Sequence, residues 1–355
     1  MPGHIDSYTV PSLASKQKTM SDTSGPAAKP IQSPADVPAL IATSVVRGSE
    51  QGQSHGGVYI IDPAKQAVHQ VLDWDTADID WSGRGWDRGL RGVAFYDGEV
   101  YIAASDELFV YDQHFRQSRS FRNPYLKHCH EICEYEGKLY LTSTGFDSIL
   151  AFDLVEQQFV WGLHAAKIDG TWHAHRFDPG TEVGPPPRNQ LHINNVDCND
   201  DGLSFAGLRT GGIISLAPHA KLLPQVELPE GIHNARLVGN GVLFNDTAAD
   251  YLRFVTRDGE ERRFPFPKYR NEELEYAGID DSKIARQGFG RGLCVINDNL
   301  VAAGSSPSTV TVFDLATDQI VFSVNFSMDI RNAIHGLEIW PYSIPELSIH
   351  SRRER

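Results

Sequence analysis

Four histidines and two arginines recur at one position of an internal repeat and are the residues of this chain best suited to joint chemistry. They are Arg91, His130, His192, His233, Arg291 and His335, spaced about 40 to 60 residues apart. Each of them opens a short apolar segment, which is followed by turn residues and further apolar segments, as in HEICEYEGKLYLTSTGFDSILAFD from His130. Apolar runs of two-residue period separated by turns are typical of consecutive antiparallel strands.

The length of the repeat predicts the fold. Copies of about 40 to 50 residues with three or four strands each are typical of a β-propeller, because no copy can bury its apolar faces alone. The copy at His335 ends after one strand, whereas residues 39–72 supply three strands that lack a first one. We therefore predict an all-β, six-bladed β-propeller that is closed by pairing the N- and C-terminal strands in one blade.

The same pattern predicts one propeller domain over residues 38–345. Residues 1–37 are rich in Ser, Pro and Lys and are expected to form a disordered or loosely attached tail, and residues 346–355 a polar C-terminal tail. Insertions at 73–89, 162–190 and 265–287 interrupt the regular spacing. Their Trp and Tyr residues favour lids over the channel, and simple covering of the blades is the alternative.

The first strand of each propeller blade lines the central channel, so the six recurring residues should form a ring at one mouth. Its order would be His335, Arg91, His130, His192, His233 and Arg291. Imidazole binds iron, zinc and other transition metals, so His130, His192, His233 and His335 are candidate ligands of a divalent metal, iron(II) or zinc. The alternative is that each histidine hydrogen-bonds a neighbouring strand or a channel water.

Arg91 and Arg291 carry planar forks that suit carboxylate or phosphate, so they are candidate residues for binding a small anionic substrate. Trp86 and Trp172 in the insertions are further candidates for substrate binding. Glu131 and Glu338 follow ring histidines and could orient an imidazole or act as a general base. In the alternative interpretation these glutamates form ion pairs with the two arginines.

Composition excludes several classes of function. A hydrophobic content of 41% and a charged content of 22% are ordinary for a globular protein. The net charge of -14 argues against nucleic acid and against an acidic membrane surface. Four cysteines are too few for a disulfide framework. Because the sequence shows neither a signal peptide pattern nor a long apolar run, a cytoplasmic location is expected.

Several blocks resemble an uncharacterised bacterial β-propeller family. They are the block from His130 quoted above, LHINNVDCNDDGLSFAGL, GIHNARLVGNGVLFNDT and GFGRGLCVINDNLVAAGSS. The resemblance covers roughly residues 91–305. The resemblance implies a propeller and brings no assigned activity. The architecture is more loosely similar to the gluconolactonase and regucalcin propellers, which hold a divalent metal at the channel mouth with Glu, Asn and Asp. This chain has histidines at that place.

The sequence thus predicts a metalloenzyme with a histidine-ligated transition metal at the channel mouth, acting on a small anionic molecule. Iron(II) would favour an oxygenase or oxidative lyase, and zinc a hydrolase or lyase. The alternative is a non-catalytic propeller that binds a ligand or serves as a scaffold. His173 and His175 in the second insertion could also bind a metal, and we expect this pair to be incidental.

Overall fold

The computed structural model describes residues 33–50, 52–75, 89–278 and 286–344. Within these ranges the chain forms strands and four short 3-10 helices and no α-helix. The 3-10 helices span Pro34–Asp36, Thr144–Phe146, Pro218–Ala220 and Asn271–Glu273. None of the helices in the described ranges has the length and apolarity needed to cross a membrane.

The strands form six antiparallel sheets, which we number as blades in chain order. Blade 1 contains β1 (Leu40–Val46), β2 (Gly57–Asp62), β3 (Ala67–Asp73) and β25 (Asn332–Ile339). Blade 2 contains β4 (Val93–Tyr96), β5 (Glu99–Ala104), β6 (Glu107–Tyr111) and β7 (Gln117–Arg122). Blade 3 contains β8 (Ile132–Tyr135), β9 (Lys138–Ser143), β10 (Ser148–Asp153), β11 (Gln158–Ile168) and β12 (Thr171–Phe177).

The remaining blades have four strands each. Blade 4 contains β13 (Ile193–Asn199), β14 (Gly202–Gly207), β15 (Gly212–Ala217) and β16 (Lys221–Glu227). Blade 5 contains β17 (Ile232–Val238), β18 (Gly241–Asp246), β19 (Tyr251–Thr256) and β20 (Glu261–Pro265). Blade 6 contains β21 (Gly288–Val295), β22 (Leu300–Ser306), β23 (Thr309–Asp314) and β24 (Gln319–Asn325). This is the six-bladed β-propeller that the repeats predict.

Blade 1 closes the ring of blades as predicted. Its strands follow the order β25, β1, β2, β3, so the C-terminal strand is the innermost one. Leu40 lies opposite Ile339 and Val46 opposite Asn332 in the antiparallel ladder. The pairing removes the open edges that two incomplete blades would otherwise expose.

The hydrophobic core is divided into six clusters, one between each pair of neighbouring blades. Strand β1 shows why. Leu40 and Ala42 pack toward blade 6, whereas Ile41 between them packs toward blade 2. Side chains alternate between the two faces of a strand, so a strand covered on both faces is apolar throughout. This packing holds the six inner strands, and the residues on them, in fixed positions around the channel.

Two described parts of the insertions belong to the sheet and the core. Residues 162–177 extend β11 and form β12, a fifth strand on the outer edge of blade 3. Trp74 is buried against Phe109, with their ring centroids 4.8 Å apart, and therefore belongs to the core. Residues 76–88 and 279–285 of the other two insertions lie outside the described ranges, as do residues 1–32 and 346–355 of the predicted tails.

Candidate metal centre

The ring residues lie at equivalent places on the inner strands. Arg91 and His130 lie two residues before the starts of β4 and β8, His192 lies directly before β13, and the other three lie within β17, β21 and β25. The structure brings the four imidazoles together. The ring centroid of His130 is 5.2 Å from that of His192, 6.1 Å from that of His233 and 6.0 Å from that of His335. The repeat thus places the four side chains at one level of the channel.

Three of the four predicted ligands form the tightest group. One ligand atom from each of His130, His192 and His233 lies within 4.8 Å of the other two. His335 is not part of this group. Its Nε2 accepts a hydrogen bond from Nη1 of Arg291, at 3.2 Å. The structure therefore presents a three-histidine centre with His335 beside it.

The proton on His130 can be assigned from its partners. Its Nδ1 lies 2.7 Å from the carbonyl oxygen of His128 and 2.9 Å from Oγ1 of Thr144. Because a carbonyl only accepts and Thr144 donates its own proton to the carbonyl of Ile193, Nδ1 must be the donor. On the other side of the ring, Nη1 of Arg91 donates to Nε2 at 3.2 Å. Nε2 of His130 therefore carries a lone pair.

The same assignment holds for the other two histidines of the centre. Nδ1 of His233 lies 3.0 Å from Oγ1 of Thr247, and that hydroxyl donates to the carbonyl of Gly290. Nδ1 of His192 lies 2.9 Å from Oδ1 of Asn189, which can only accept. Both imidazoles thus hold their proton on Nδ1 and leave the lone pair on Nε2. Fixing the tautomer through the second nitrogen is typical of metal-binding histidines.

These residues fit a transition metal. Nε2 of His233 is buried and has no hydrogen-bond partner among the described residues. A buried lone pair without a partner is costly unless water or an ion satisfies it. Tetrahedral zinc binds imidazole nitrogen at about 2.0 to 2.1 Å, which requires nitrogens roughly 3.3 Å apart. The ligand atoms of the three histidines lie within 4.8 Å of one another, so each separation would have to shorten by at most about 1.5 Å to reach that geometry.

Burial and nearby positive charge keep three of the four ring histidines neutral. Burial, followed by the nearby guanidinium of Arg91, holds the pKa of His130 well below its usual range. Burial and then Arg291 do the same for the pKa values of His233 and His335, to which Arg47 also contributes. Only neutral imidazole has a lone pair for a metal. His130, His233 and His335 therefore keep the lone pair that a metal would need at neutral pH.

Asp147 positions His192, the ring histidine that follows the insertion at 162–190. Its carboxylate accepts hydrogen bonds from the backbone N–H groups of Gln190, Leu191 and His192, at 2.6 to 3.1 Å. These bonds hold His192 with a φ of 54°, in the left-handed region. Three N–H donors on one carboxylate make a rigid local clamp.

A glycine after His335 allows the inner strands to approach closely. A Cβ at Gly336 would lie 2.2 Å from the carbonyl oxygen of Arg91 and 2.6 Å from Oγ1 of Thr43. No other residue fits at this place without movement of the backbone. The glycine thus lets blade 1 bring His335 next to the neighbouring blade.

Glu131 forms the floor beneath the histidines. It is 3% exposed, and its Oε2 accepts a hydrogen bond of 2.6 Å from Nδ2 of Asn234. Asn234 lies on blade 5 and Glu131 on blade 3, so the bond passes in front of blade 4 and spans the channel. Burial raises the pKa of Glu131 to about 8. The Glu131–Asn234 bond therefore connects blades 3 and 5 across the channel.

A charged layer lies below this floor. Nη2 of Arg236 on blade 5 donates to Oε1 of Glu338 on blade 1, at 3.2 Å, and Nη1 lies 3.7 Å from Asp197 on blade 4. Burial raises the pKa of Glu338, and Arg236 opposes that effect. Glu338 is thus engaged in an ion pair that links three blades. Its predicted role as a general base or as a partner of an imidazole stays a prediction.

The two ring arginines lie against histidines. Arg91 donates to His130 and to the carbonyl oxygen of Cys129, and Arg291 donates to His335. The glutamates proposed as their partners pair elsewhere, Glu131 with Asn234 and Glu338 with Arg236. Both guanidinium groups are deeply buried, with residue exposures of 0% and 8%.

A third guanidinium lies at the mouth. The Cζ atoms of Arg47 and Arg291 lie 4.1 and 4.7 Å from the centroid of the Phe289 ring. An aromatic ring attracts cations to its face, so Phe289 gathers positive charge beside the histidines. The mouth is therefore basic, although the chain as a whole has a net charge of -14.

Of the two predicted tryptophans, the structure describes Trp172, and it does not bring that residue to the ring. Trp172 lies on β12, four strands out from the inner strand of blade 3, which at about 4.8 Å per strand is roughly 19 Å. Its ring packs edge-on against Phe205, with 6.3 Å between centroids. Trp86 lies outside the described residues.

Sequence reasoning missed the residues that orient the imidazoles. Thr144 and Thr247 each lie fourteen residues after their histidine, at the same place of the repeat. That shared spacing was the available signal. Asn189 and Asp147 gave no such signal, because they act across an insertion whose path the repeat does not determine.

Comparisons with known proteins support the fold. No protein-family model and no curated protein matches this chain. A protein of unknown function from Bacteroides caccae has a similar structure, with a TM-score of 0.51 and 13% identity over 85% of this chain and 98% of that chain. A streptogramin B lyase gives a TM-score of 0.43 and 15% identity, over 68% of this chain and 70% of that chain. Virginiamycin B lyase from Staphylococcus aureus gives a TM-score of 0.42 and 12% identity, over 70% of this chain and 73% of that chain. At these identities the likeness shows the fold alone.

Proposed function

We propose that this propeller is a metal-dependent enzyme whose transition metal is held by His130, His192 and His233 and whose substrate is a small anion. One observation carries the proposal. One ligand atom from each of the three imidazoles lies within 4.8 Å of the other two, while their Nδ1 atoms are tied to carbonyl, hydroxyl or amide oxygens and leave the lone pairs on Nε2. Three protein ligands leave positions open for water and substrate, as in catalytic zinc sites.

The charges at the mouth support an anionic substrate. A dication at this centre would lie close to the guanidinium of Arg91, which already contacts Nε2 of His130. Metal loading requires Arg91 to release that nitrogen. A carboxylate or phosphate bound to Arg91 and Arg291 would then balance the added charge, so metal and anion should strengthen each other's binding.

The reaction class follows from the metal. Iron(II) with open positions would suit an oxygenase or oxidative lyase, and zinc a hydrolase or lyase. In each case Arg91 and Arg291 would orient the anionic group, and the Glu131–Asn234 bridge would close the channel beneath the substrate. Fixing a substrate at two points accounts for a large part of many rate enhancements.

Metal analysis tests the proposal. Protein without a histidine tag is loaded with zinc, iron(II) or cobalt(II), and bound metal is counted in wild type and in a His192→Ala, His233→Ala double variant. The double variant should lose one equivalent, while His114→Ala, an exposed histidine of blade 2, should lose none. Equal metal content in wild type and double variant would refute the centre.

Anion binding is tested separately. Phosphate or oxalate should increase the affinity of wild type for zinc, and Arg91→Gln with Arg291→Gln should abolish this increase while zinc still binds. The Arg–His hydrogen bonds also support a second candidate, a ring that binds an anion without metal. That candidate requires anion binding by wild-type protein kept in chelator, and loss of that binding in the same arginine variant.

A further inference from the structure

The hairpin of β11 and β12 carries a second group of histidines. His164 on β11 lies opposite His175 on β12, and His173 lies opposite Ala166. Residues directly opposite in an antiparallel pair share a face, and so do residues two apart on one strand. His164, His173 and His175 are therefore on the same face of the hairpin, at the outer edge of blade 3.

Strand geometry places these three side chains within reach of one ion. Cβ atoms of directly opposite residues are about 5 Å apart and those of diagonal neighbours about 7 Å. Residues two apart on a strand are separated by about 6.7 Å. The fourth corner of this rectangle is Ala166, whose methyl group leaves space beside the imidazoles.

One of the three imidazoles is already oriented as a ligand. Nδ1 of His164 lies 2.8 Å from the carbonyl oxygen of Phe146, so Nδ1 donates and Nε2 holds the lone pair. His164 is half-buried, whereas His173 and His175 are exposed. Exposed side chains change rotamer at little cost, so the two histidines of β12 can turn toward Nε2 of His164.

Packing fixes the register on which this arrangement depends. Phe177 lies on the same face, is 8% exposed and sits opposite Gly162. A Cβ at Gly162 would be 2.4 Å from the Phe177 ring, so the aromatic side chain fills the space that the glycine leaves. A slip of one residue would expose Phe177 and turn the histidines to the other face.

We propose that this face of the hairpin binds one divalent transition metal ion, zinc, copper or nickel, through His164, His173 and His175. Imidazole suits all three metals, and the remaining coordination positions face solvent. The nitrogens do not all lie within 4.8 Å of one another, as those of the ring do, so binding draws the side chains together. The His-Ala-His pair is then one half of a site that only the pairing of β11 with β12 completes.

The site is independent of the ring. It lies on the two outermost strands of blade 3, whereas His130 precedes the innermost one. A metal there joins β12 to β11 and stabilises the fifth strand by mass action. Its existence does not depend on whether the ring binds metal.

Zinc titration of full-length, untagged protein tests the site. The hairpin variant is His173→Asn with His175→Asn, the ring variant is His192→Ala with His233→Ala, and His114→Asn is the control. The hairpin changes should remove one equivalent of bound zinc from wild type and also from the ring variant. The control should bind as much zinc as wild type.

A structural readout protects the test against misfolding. Both substituted residues are exposed, and circular dichroism should match wild type. In NMR spectra of the ring variant, zinc should shift the imidazole nitrogens of His164, His173 and His175 together. Unchanged zinc content in the hairpin variant, or zinc shifts that spare His164, would overturn the proposal. If only the ring failed to bind zinc, the hairpin variant would still bind one equivalent of zinc less than wild type.

Discussion

The histidine ring and the charged layer beneath it lie on the same inner strands, yet their polar groups are satisfied in different ways. Below the floor, Arg236 lies between Glu338 and Asp197, so opposite charges meet. At the mouth, Arg91 and Arg291 lie against neutral imidazoles. The two levels are only three residues apart along β17 and β25, where His233 is followed by Arg236 and His335 by Glu338.

This difference distinguishes buried polar groups that stabilise the fold from buried polar groups that are available to bind a ligand. Buried ions that find opposite charges within the protein link blades 1, 4 and 5 and need nothing further. The buried Nε2 of His233 has no hydrogen-bond partner among the described residues, and such atoms are rare in folded proteins. Proximity to the channel is therefore a weaker indicator of function than incomplete satisfaction of a buried group.

The largest effect is expected in the charged layer. Arg236→Met should lower the free energy of unfolding by about 3 kcal/mol, because it leaves Glu338 and Asp197 without their common cation. Urea denaturation measures the change. Arg263→Met on the same blade, where an exposed arginine pairs with Glu261, should cost less than about 1 kcal/mol. Equal losses in the two variants would contradict the difference drawn between buried and surface pairs.

The ring should show the opposite pattern. His192→Ala should weaken zinc binding about 100-fold or more, because it removes a ligand. The same change should alter the free energy of unfolding little, because His192 is half-buried and outside the core clusters. Competition with a fluorescent zinc chelator measures the affinity, in protein carrying the hairpin changes. A strongly destabilised His192→Ala variant would instead assign the ring a structural role.

The hydroxyls that orient the imidazoles should have a smaller effect. Thr247→Val removes the acceptor for Nδ1 of His233 and should weaken zinc binding about 10- to 100-fold. Thr144→Val is the matched control, since Nδ1 of His130 keeps the carbonyl of His128 and should lose less. The same chelator assay applies. If the two variants bind equally well, the tautomer assignment of His233 is wrong.

Acid should lower the stability of the fold, because the buried histidines take up protons more readily in the unfolded chain. The pKa of His335 is well below its usual range in the folded protein, chiefly through burial, so the unfolded chain binds a proton that the folded chain does not. Stability should therefore fall as pH drops below about 6.5. His335→Gln keeps an acceptor for Arg291 and should make this fall shallower by about 1.4 kcal/mol per pH unit.

Urea denaturation between pH 5 and 7 measures the slope, and the exposed His114→Gln should leave it unchanged. A His335→Gln variant with the wild-type slope would mean that His335 is protonated in the folded state. In that case it could not accept the hydrogen bond from Arg291.

The sequence predicted the fold and the ring better than the bonds within the ring. His130, His192, His233 and His335 occupy the same position of successive repeats. Equivalent positions of a propeller's inner strands lie at one level of the channel, so the repeat predicts that these histidines meet. Hydrogen bonds that cross the channel do not follow the repeat. Glu131 reaches Asn234 two blades away, and Glu338 reaches Arg236, because side-chain length and channel width decide those contacts. The fifth strand of blade 3 was missed because its histidines alternate with Trp172 and Ala174 in an insertion outside the repeat.

Blade 1 has a consequence for the order in which the protein becomes competent during synthesis. Its innermost strand, β25, carries both His335 and Glu338, and it pairs with β1, which was translated about three hundred residues earlier. Until the ribosome releases β25, Arg291 lacks His335 and Arg236 lacks Glu338. Nascent chains should therefore have an incomplete channel mouth until β25 has been made, and the docking of β25 on β1 adds His335 and Glu338 in one step.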